Sequence, residues 1–224
     1  MKPSVVFVET NWVVDVIVLA HLQNPQATEL LQQAEAGEFE LFVPAICLAE
    51  ARETVPRRFA PRSRPESLRR FVKWARDTEQ IELEDANAAF RVFEKFDTLV
   101  GNELRKVPEK LAALASHPGL RVFPLSEAML ERQVDIGAMD ISLKPYDLAI
   151  LAAVLVEAEE LQQQGGCSWV GFCELDSDLQ PWDKRGRRKP ILNDLYDASH
   201  VWVYGGFLRE EVSNLPQEWI TQAE

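Results

Sequence analysis

The run Val5-Val6-Phe7-Val8-Glu9-Thr10 decides the fold class of this 224-residue chain. Four consecutive β-branched or aromatic residues with no polar break read as a short strand buried on both faces, as in a parallel sheet. Glu9 then meets the end of that strand directly. Working outward, Trp12, Val13, Val16, Ile17 and Ala20 recur at helical spacing, predicting a helix over about 11–22. A second helix is expected from Pro25, near its first turn, to Ala36, with Gly37 ending it. Phe39 to Val43 reads as the second strand, and Pro44 opens a helix carrying Ile46, Leu48, Ala49 and Glu50.

Residues 56–65 hold three prolines and four arginines, so a loop or a broken helix is expected there. From 66 to about 116 the pattern is helical and amphipathic, with breaks near 82–85 and at Pro108. The stretch 56–118 therefore reads as a helical insert within a single domain spanning 1–224. His117-Pro118-Gly119 is a turn, Leu120 to Phe123 a strand, and Ser126 opens a helix ending near Gly137. The strongest helical pattern runs from Leu143 to Gln164, closed by Gly165-Gly166. Ser168 to Phe172 and Val201 to Tyr204 read as the last strands. Strands separated by helices imply an α/β fold: a central parallel sheet, helices on both faces, right-handed crossovers. Ligands of such sheets lie beyond the carboxyl ends of the strands.

The residues at those ends are acidic. Glu9 follows the first strand, Glu50 lies in the helix after the second, Asp147 sits in the first turn of the 143–164 helix, and Asp176 and Asp178 follow the strand near Phe172. Each has an ordinary explanation alone. Asp147 would complement a helix dipole, Asp176-Ser177-Asp178 would make a turn, and Glu9 would be solvated at a strand end. Glu50 ends an apolar run and needs a partner. Together they bring carboxylates from four chain regions to one sheet edge. Such a cluster repels itself unless a cation neutralises it, and oxygen-only ligands select hard cations such as Mg²⁺ or Mn²⁺. The chemistry this points to is phosphodiester hydrolysis.

Composition bounds the rest. With 46% apolar and 27% charged residues the chain is ordinary globular material, not a disordered chain, a collagen-like fibre or a coiled coil. The longest apolar runs are shorter than the ~20 residues of a membrane span, and no signal peptide is legible. Three cysteines, Cys47, Cys167 and Cys173, cannot form a disulfide framework and fit a reducing compartment. A cytoplasmic protein without a membrane partner is expected. The net charge of −12 argues against a polyanionic partner, but its distribution does not. Residues 51–76 carry nine basic and two acidic side chains, and 183–190 five basic and one acidic. Arg57, Arg58, Arg62 and Arg64 in the first segment, and Arg185, Arg187, Arg188 and Lys189 in the second, are candidates for a nucleic-acid backbone.

The stretches Val5-Val6-Phe7-Val8-Glu9-Thr10-Asn11, Phe42-Val43-Pro44-Ala45-Ile46-Cys47-Leu48-Ala49-Glu50, Tyr146-Asp147-Leu148-Ala149-Ile150-Leu151 and Leu175-Asp176-Ser177-Asp178-Leu179 resemble the four motifs of PIN-domain ribonucleases. The resemblance covers 1–55 and 120–205. It implies a Rossmann-like three-layer α/β/α sandwich and a divalent-metal-dependent endoribonuclease using Mg²⁺ or Mn²⁺. The acidic quartet would be Glu9, Glu50, Asp147 and Asp176, with Asp178 an additional or alternative ligand and Thr10 the hydroxyl supporting the site. Glu9 stands where that family usually carries Asp, which carries the carboxylate about 1.5 Å further. The family includes toxin nucleases, so an antitoxin or other protein regulator is an implied partner beside RNA, and a homodimer is left open. The other readings are a structure-specific DNA nuclease and a catalytically weak RNA- or protein-binding module.

Overall fold

The computed structural model describes residues 3–60 and 65–207. Strand β1 (Val5–Val8) leads into helix α1 (Thr10–Ile17), a single 3₁₀ turn (Ala20–Leu22) and α2 (Pro25–Glu35). Strand β2 (Glu40–Pro44) is followed by α3 (Ala45–Phe59), α4 (Pro65–Asp77), α5 (Leu83–Arg105) and α6 (Val107–Ala115). Then come β3 (Leu120–Phe123), α7 (Glu127–Gly137), α8 (Pro145–Gln163), β4 (Val170–Cys173), α9 (Pro190–Ala198) and β5 (Val201–Tyr204).

The five strands form one parallel sheet in the order β3-β2-β1-β4-β5. The chain steps from β1 outward to β2 and β3, then returns across the sheet to β4 and β5. Right-handed crossovers made in opposite directions put α1–α6 on one face and α7–α9 on the other. The expected α/β sheet with helices on both faces is therefore present. The direction reverses beside β1, whose residues Phe7 and Val8 pair with Phe172 and Cys173 of β4. That switch point is where the crevice of such a sheet opens.

All four residues of β1 and of β4 are buried, as continuous apolar runs between two helix layers require. The rings of Phe7, Phe42 and Phe123 meet at 5.5–6.3 Å across three adjacent strands. Burying each contributes roughly 2–3 kcal/mol. Gly171 is required by close approach, since a Cβ there would lie 2.9 Å from the Pro3 ring and 3.0 Å from that of Tyr204. No helix among the described residues is long and apolar enough to cross a membrane.

Local chemistry was overridden in several places. Helix α3 continues through Pro56 to Phe59 instead of breaking. Val55 is fully buried and Phe59 packs on the core, so side-chain burial outweighs the backbone hydrogen bond that proline removes. The break expected at Pro108 is present: α5 ends at Arg105, and Pro108 occupies the first turn of α6, where no N–H is needed. The first helix stops at Ile17 because Val18 adopts extended backbone. Helix α9 has no counterpart in the sequence reading. The preceding basic run hides its short apolar face of Leu192, Leu195 and Tyr196.

Within the stretch 56–118, α6 lies in the helix layer against α1, α3 and β3. Val100 and Leu104 at the end of α5 pack with Val18, Leu19 and Phe59. Helix α4 runs antiparallel to α5. Arg69 pairs with Asp97 and donates to the Phe93 carbonyl at 3.3 Å, and Arg76 lies over the Phe90 ring.

Candidate metal centre

Glu9 ends β1 and N-caps α1, so the strand delivers its side chain to the sheet edge and the helix start holds it. The Asn11 N–H donates to its Oε2 at 2.6 Å and the Leu175 N–H to its Oε1 at 3.5 Å. The residue is 2% exposed. Burial pushes its pKa up to about 8, the two N–H groups oppose the shift, and Asp176 adds to it. Thr10 turns its hydroxyl to the neighbouring helix and donates to Glu50 Oε2 at 2.5 Å. One side chain thereby ties the start of α1 to α3.

Asp147 lies in the first turn of α8, after Pro145, where a helix N-terminus favours an anion. It is buried, and its Oδ2 has no hydrogen bond. The Lys144 ammonium stands 3.8 Å from that oxygen. Burial first, then repulsion from Asp176, raises the Asp147 pKa to about 6. Lys144 opposes the shift, and Glu50 and Asp178 add to it. Asp176 and Asp178 follow β4 in a tight turn, in which the Asp178 N–H donates to Asp176 Oδ1 at 2.9 Å. Asp147, Asp176 and Asp178 each offer an oxygen within 4.8 Å of the other two. Lys144 also reaches Asp178 Oδ2, at 3.3 Å.

The candidate acids converge in this way. Asp147, Asp176 and Asp178 form the tight group. The charge of Asp176 acts on Glu9, and that of Glu50 on Asp147. The basic candidates are more dispersed. Arg57 and Arg58 lie in the last turn of α3, about 11 Å of helix rise beyond Glu50. Arg58 sits over the Phe59 ring. Arg62 and Arg64 lie outside the described residues. Arg187 pairs with Asp183 at 2.6 Å, while Arg185 and Arg188 are exposed in the same loop. Lys189 donates to the carbonyls of Ser177 and Asp178, so its ammonium braces the turn that carries the aspartates. Trp182, adjacent to that basic run, is 6% exposed and packs in the core.

Three contributors escaped the sequence reading. Glu174 directly follows β4 as Glu9 follows β1, and that repeated pattern was its legible signal. It is fully buried with no close hydrogen bond to either oxygen; burial followed by the charges of Glu9 and Asp176 raises its pKa well above the usual range, and the Asp176 N–H and Gln180 oppose this. Lys144 gave no signal, being an isolated lysine ahead of Pro145. Tyr196 gave none either, although its buried hydroxyl donates to the Leu179 carbonyl at 2.9 Å and pins the aspartate turn from α9.

The three clustered aspartates offer only oxygen and carry like charges, with the Lys144 ammonium against them, the Lys189 ammonium behind their turn, and the buried Cys47 thiol beside Thr10 and Glu50 rather than in the cluster. The orphaned Oδ2 of Asp147 lacks a partner that a cation would supply. The residues present therefore fit a hard divalent ion, and a soft metal would find no thiolate or imidazole among these donors. Compared with sequence profiles of protein families, with curated proteins and with solved structures, the chain matches none.

Proposed function

We propose that this protein is a PIN-like, divalent-metal-dependent endoribonuclease. The observation that carries the reading is the convergence of Asp147, Asp176 and Asp178, with Asp147 Oδ2 buried and unbonded. Its position at the switch point of the parallel sheet supports it further. Asp147, Asp176 and Asp178 would hold a Mg²⁺ or Mn²⁺ ion, with Glu9 and Glu50 at its flanks. When bound, such an ion supplies charge for phosphate oxygens and lowers the pKa of water.

The chain's own residues do the rest. The N–H groups of Asn11 and Leu175 hold the Glu9 carboxylate at the edge of the site. The Thr10 hydroxyl donates to Glu50 Oε2 and fixes that oxygen. Lys189 and Tyr196 keep the Asp176–Asp178 turn in place from α9 and the loop before it. Lys144 is exposed at the mouth, where its ammonium can meet a phosphate oxygen of the substrate.

The test is cleavage of a panel of labelled RNAs. Activity should be absent in chelator and return with Mn²⁺ or Mg²⁺, but not with Zn²⁺ alone. Unchanged cleavage in chelator would overturn the reading. Cleavage of structured DNA with no cleavage of RNA would move the substrate class and leave the metal site standing.

A further inference from the structure

Among the described residues, seven of the twelve large apolar side chains that stand exposed belong to α4 and α5: Leu68, Phe71, Trp74, Leu83, Val92, Phe96 and Leu99. The exposed apolar surface is thus concentrated on the hairpin and not on the sheet-bearing body. Phe71 and Trp74 are 57% and 55% exposed, with ring centroids 5.9 Å apart and planes inclined by 39°.

The basic residues of α4 divide into two sets. Arg69 and Arg76, seven residues apart, face α5, where they meet Asp97 and the rings of Phe93 and Phe90. Arg70 lies about 100° round the helix from Arg69, while Lys73, four residues on from Arg69, lies beside that set with its side chain in solvent. Arg70 and Lys73 are exposed and take part in no ion pair among the described residues, and the same holds for Arg91 and Lys95 of α5. The inner cations hold the hairpin together, while the outer ones remain available beside uncovered aromatic rings.

We propose that the α4–α5 hairpin is a binding arm for single-stranded nucleic acid, on which unpaired bases stack against Phe71 and Trp74 while Arg70 and Lys73 meet the phosphates. Base stacking on exposed rings flanked by cations is tolerant of sequence and depends on salt. The charge of the flanking groups selects a polyanion, and the exposed aromatic faces select one whose bases are unstacked. The proposal rests on the RNA reading for its ligand class, and on the hairpin alone for its geometry.

Binding of a labelled single-stranded oligoribonucleotide, and of a duplex of the same sequence, is measured in chelator at several salt concentrations. The single strand should bind more tightly than the duplex. Phe71→Ala with Trp74→Ala should weaken single-strand binding by about tenfold or more, while Trp74→Phe, which keeps a ring, should retain most of it. Arg70→Gln with Lys73→Gln should make the slope of log K against log salt shallower by about 0.7 per lost contact. Melting temperatures should match the parent's, because these side chains are exposed.

Failure of the parent to bind the single strand overturns the proposal, as does full binding by the double-ring variant. A parent that sediments as a dimer, and a double-ring variant that sediments as a monomer with unchanged RNA binding, would reassign the face to self-association. Ring-dependent binding without metal-dependent cleavage sustains the arm while the nuclease reading falls. Cleavage with ring-independent binding gives the opposite result.

Discussion

Glu9 and Glu174 occupy equivalent places on neighbouring strands. Each follows the last residue of a buried parallel strand, and those last residues, Val8 and Cys173, are register partners. Their surroundings differ in one respect. Glu9 receives two backbone N–H groups because a helix begins at once behind it. Glu174 enters a loop, where the Asp176 N–H and the Gln180 side chain oppose the effect of burial without reaching close hydrogen-bond geometry. Burial alone favours the neutral acid at both positions. The closer donors at Glu9 hold its pKa down to about 8, whereas at Glu174 burial and the charges of Glu9 and Asp176 raise it further than its weaker donors can offset. The acidity of a carboxyl group at the end of a parallel strand thus depends on what the next turn of chain donates to it.

The sharpest break of this comparison is a pair of isosteric variants. Glu9→Gln should lower cleavage by about 100-fold, and Asp147→Asn and Glu50→Gln by a similar factor, since even groups that only hydrogen-bond to a metal's ligands are worth about 10- to 100-fold. Glu174→Gln should leave cleavage within about threefold of the parent. Steady-state rates on one RNA settle it. Equal losses at residues 9 and 174 would make Glu174 a ligand and erase the distinction. Asp147→Asn should also raise the melting temperature of the metal-free protein by a few degrees, because it removes a buried, unbonded like charge.

Acidity provides the second way to sharpen it. The folded-state pKa of Glu9 is raised from 4.5 to about 8 and that of Asp147 from 3.8 to about 6. Between those values the folded protein retains protons that the unfolded chain has lost. Stability is therefore fully present below the unfolded values and is lost as pH rises through the folded ones. In chelator the melting temperature should fall by about 5 °C between pH 5 and pH 8. Added Mn²⁺ should raise it most at pH 8 and least at pH 5, where protons occupy the ligands. A flat profile in chelator would mean that these carboxyl groups are solvated. In Glu9→Gln the profile should flatten above pH 6.

The smallest effect concerns Lys144, the cation closest to the site in this structure. Its ammonium lies against two of the three clustered aspartates and competes with any ion placed there. Lys144→Met should tighten Mn²⁺ binding by about fivefold at low salt, as read by Mn²⁺ spin resonance, and less at high salt. Unchanged affinity would show that the side chain swings clear in solution.

Much of the scaffold was legible in the order of residues. The runs at 5–8 and 41–43 became buried strands, as unbroken apolar stretches require, while those at 120–123, with Arg121 exposed, and 201–204 form the two outermost strands. Gly37 and Pro25 bounded α2 through backbone geometry that needs no tertiary partner. Four of the acids that converge, and Thr10, were visible because they stand just beyond strands or at helix starts. Helix α9, the passage of α3 through Pro56, and the bracing by Tyr196 and Lys189 were not legible. Each depends on burial or on a carbonyl supplied by a distant segment.

The sequence by itself determined the alternation of strands and helices, and with it the edge of the sheet where ligands gather. The cause is local, since periodicity and capping act over a few residues. Tertiary structure alone decided the chemical state of each carboxyl group there. Whether an acid holds its proton depends on the dielectric around it and on donors from elsewhere in the chain. Glu9 and Glu174 look alike in sequence, and differ because only one meets the start of a helix. Tertiary packing likewise divided the basic residues of α4. Asp97 and the rings of α5 engage Arg69 and Arg76, and Arg70 and Lys73 are left facing solvent.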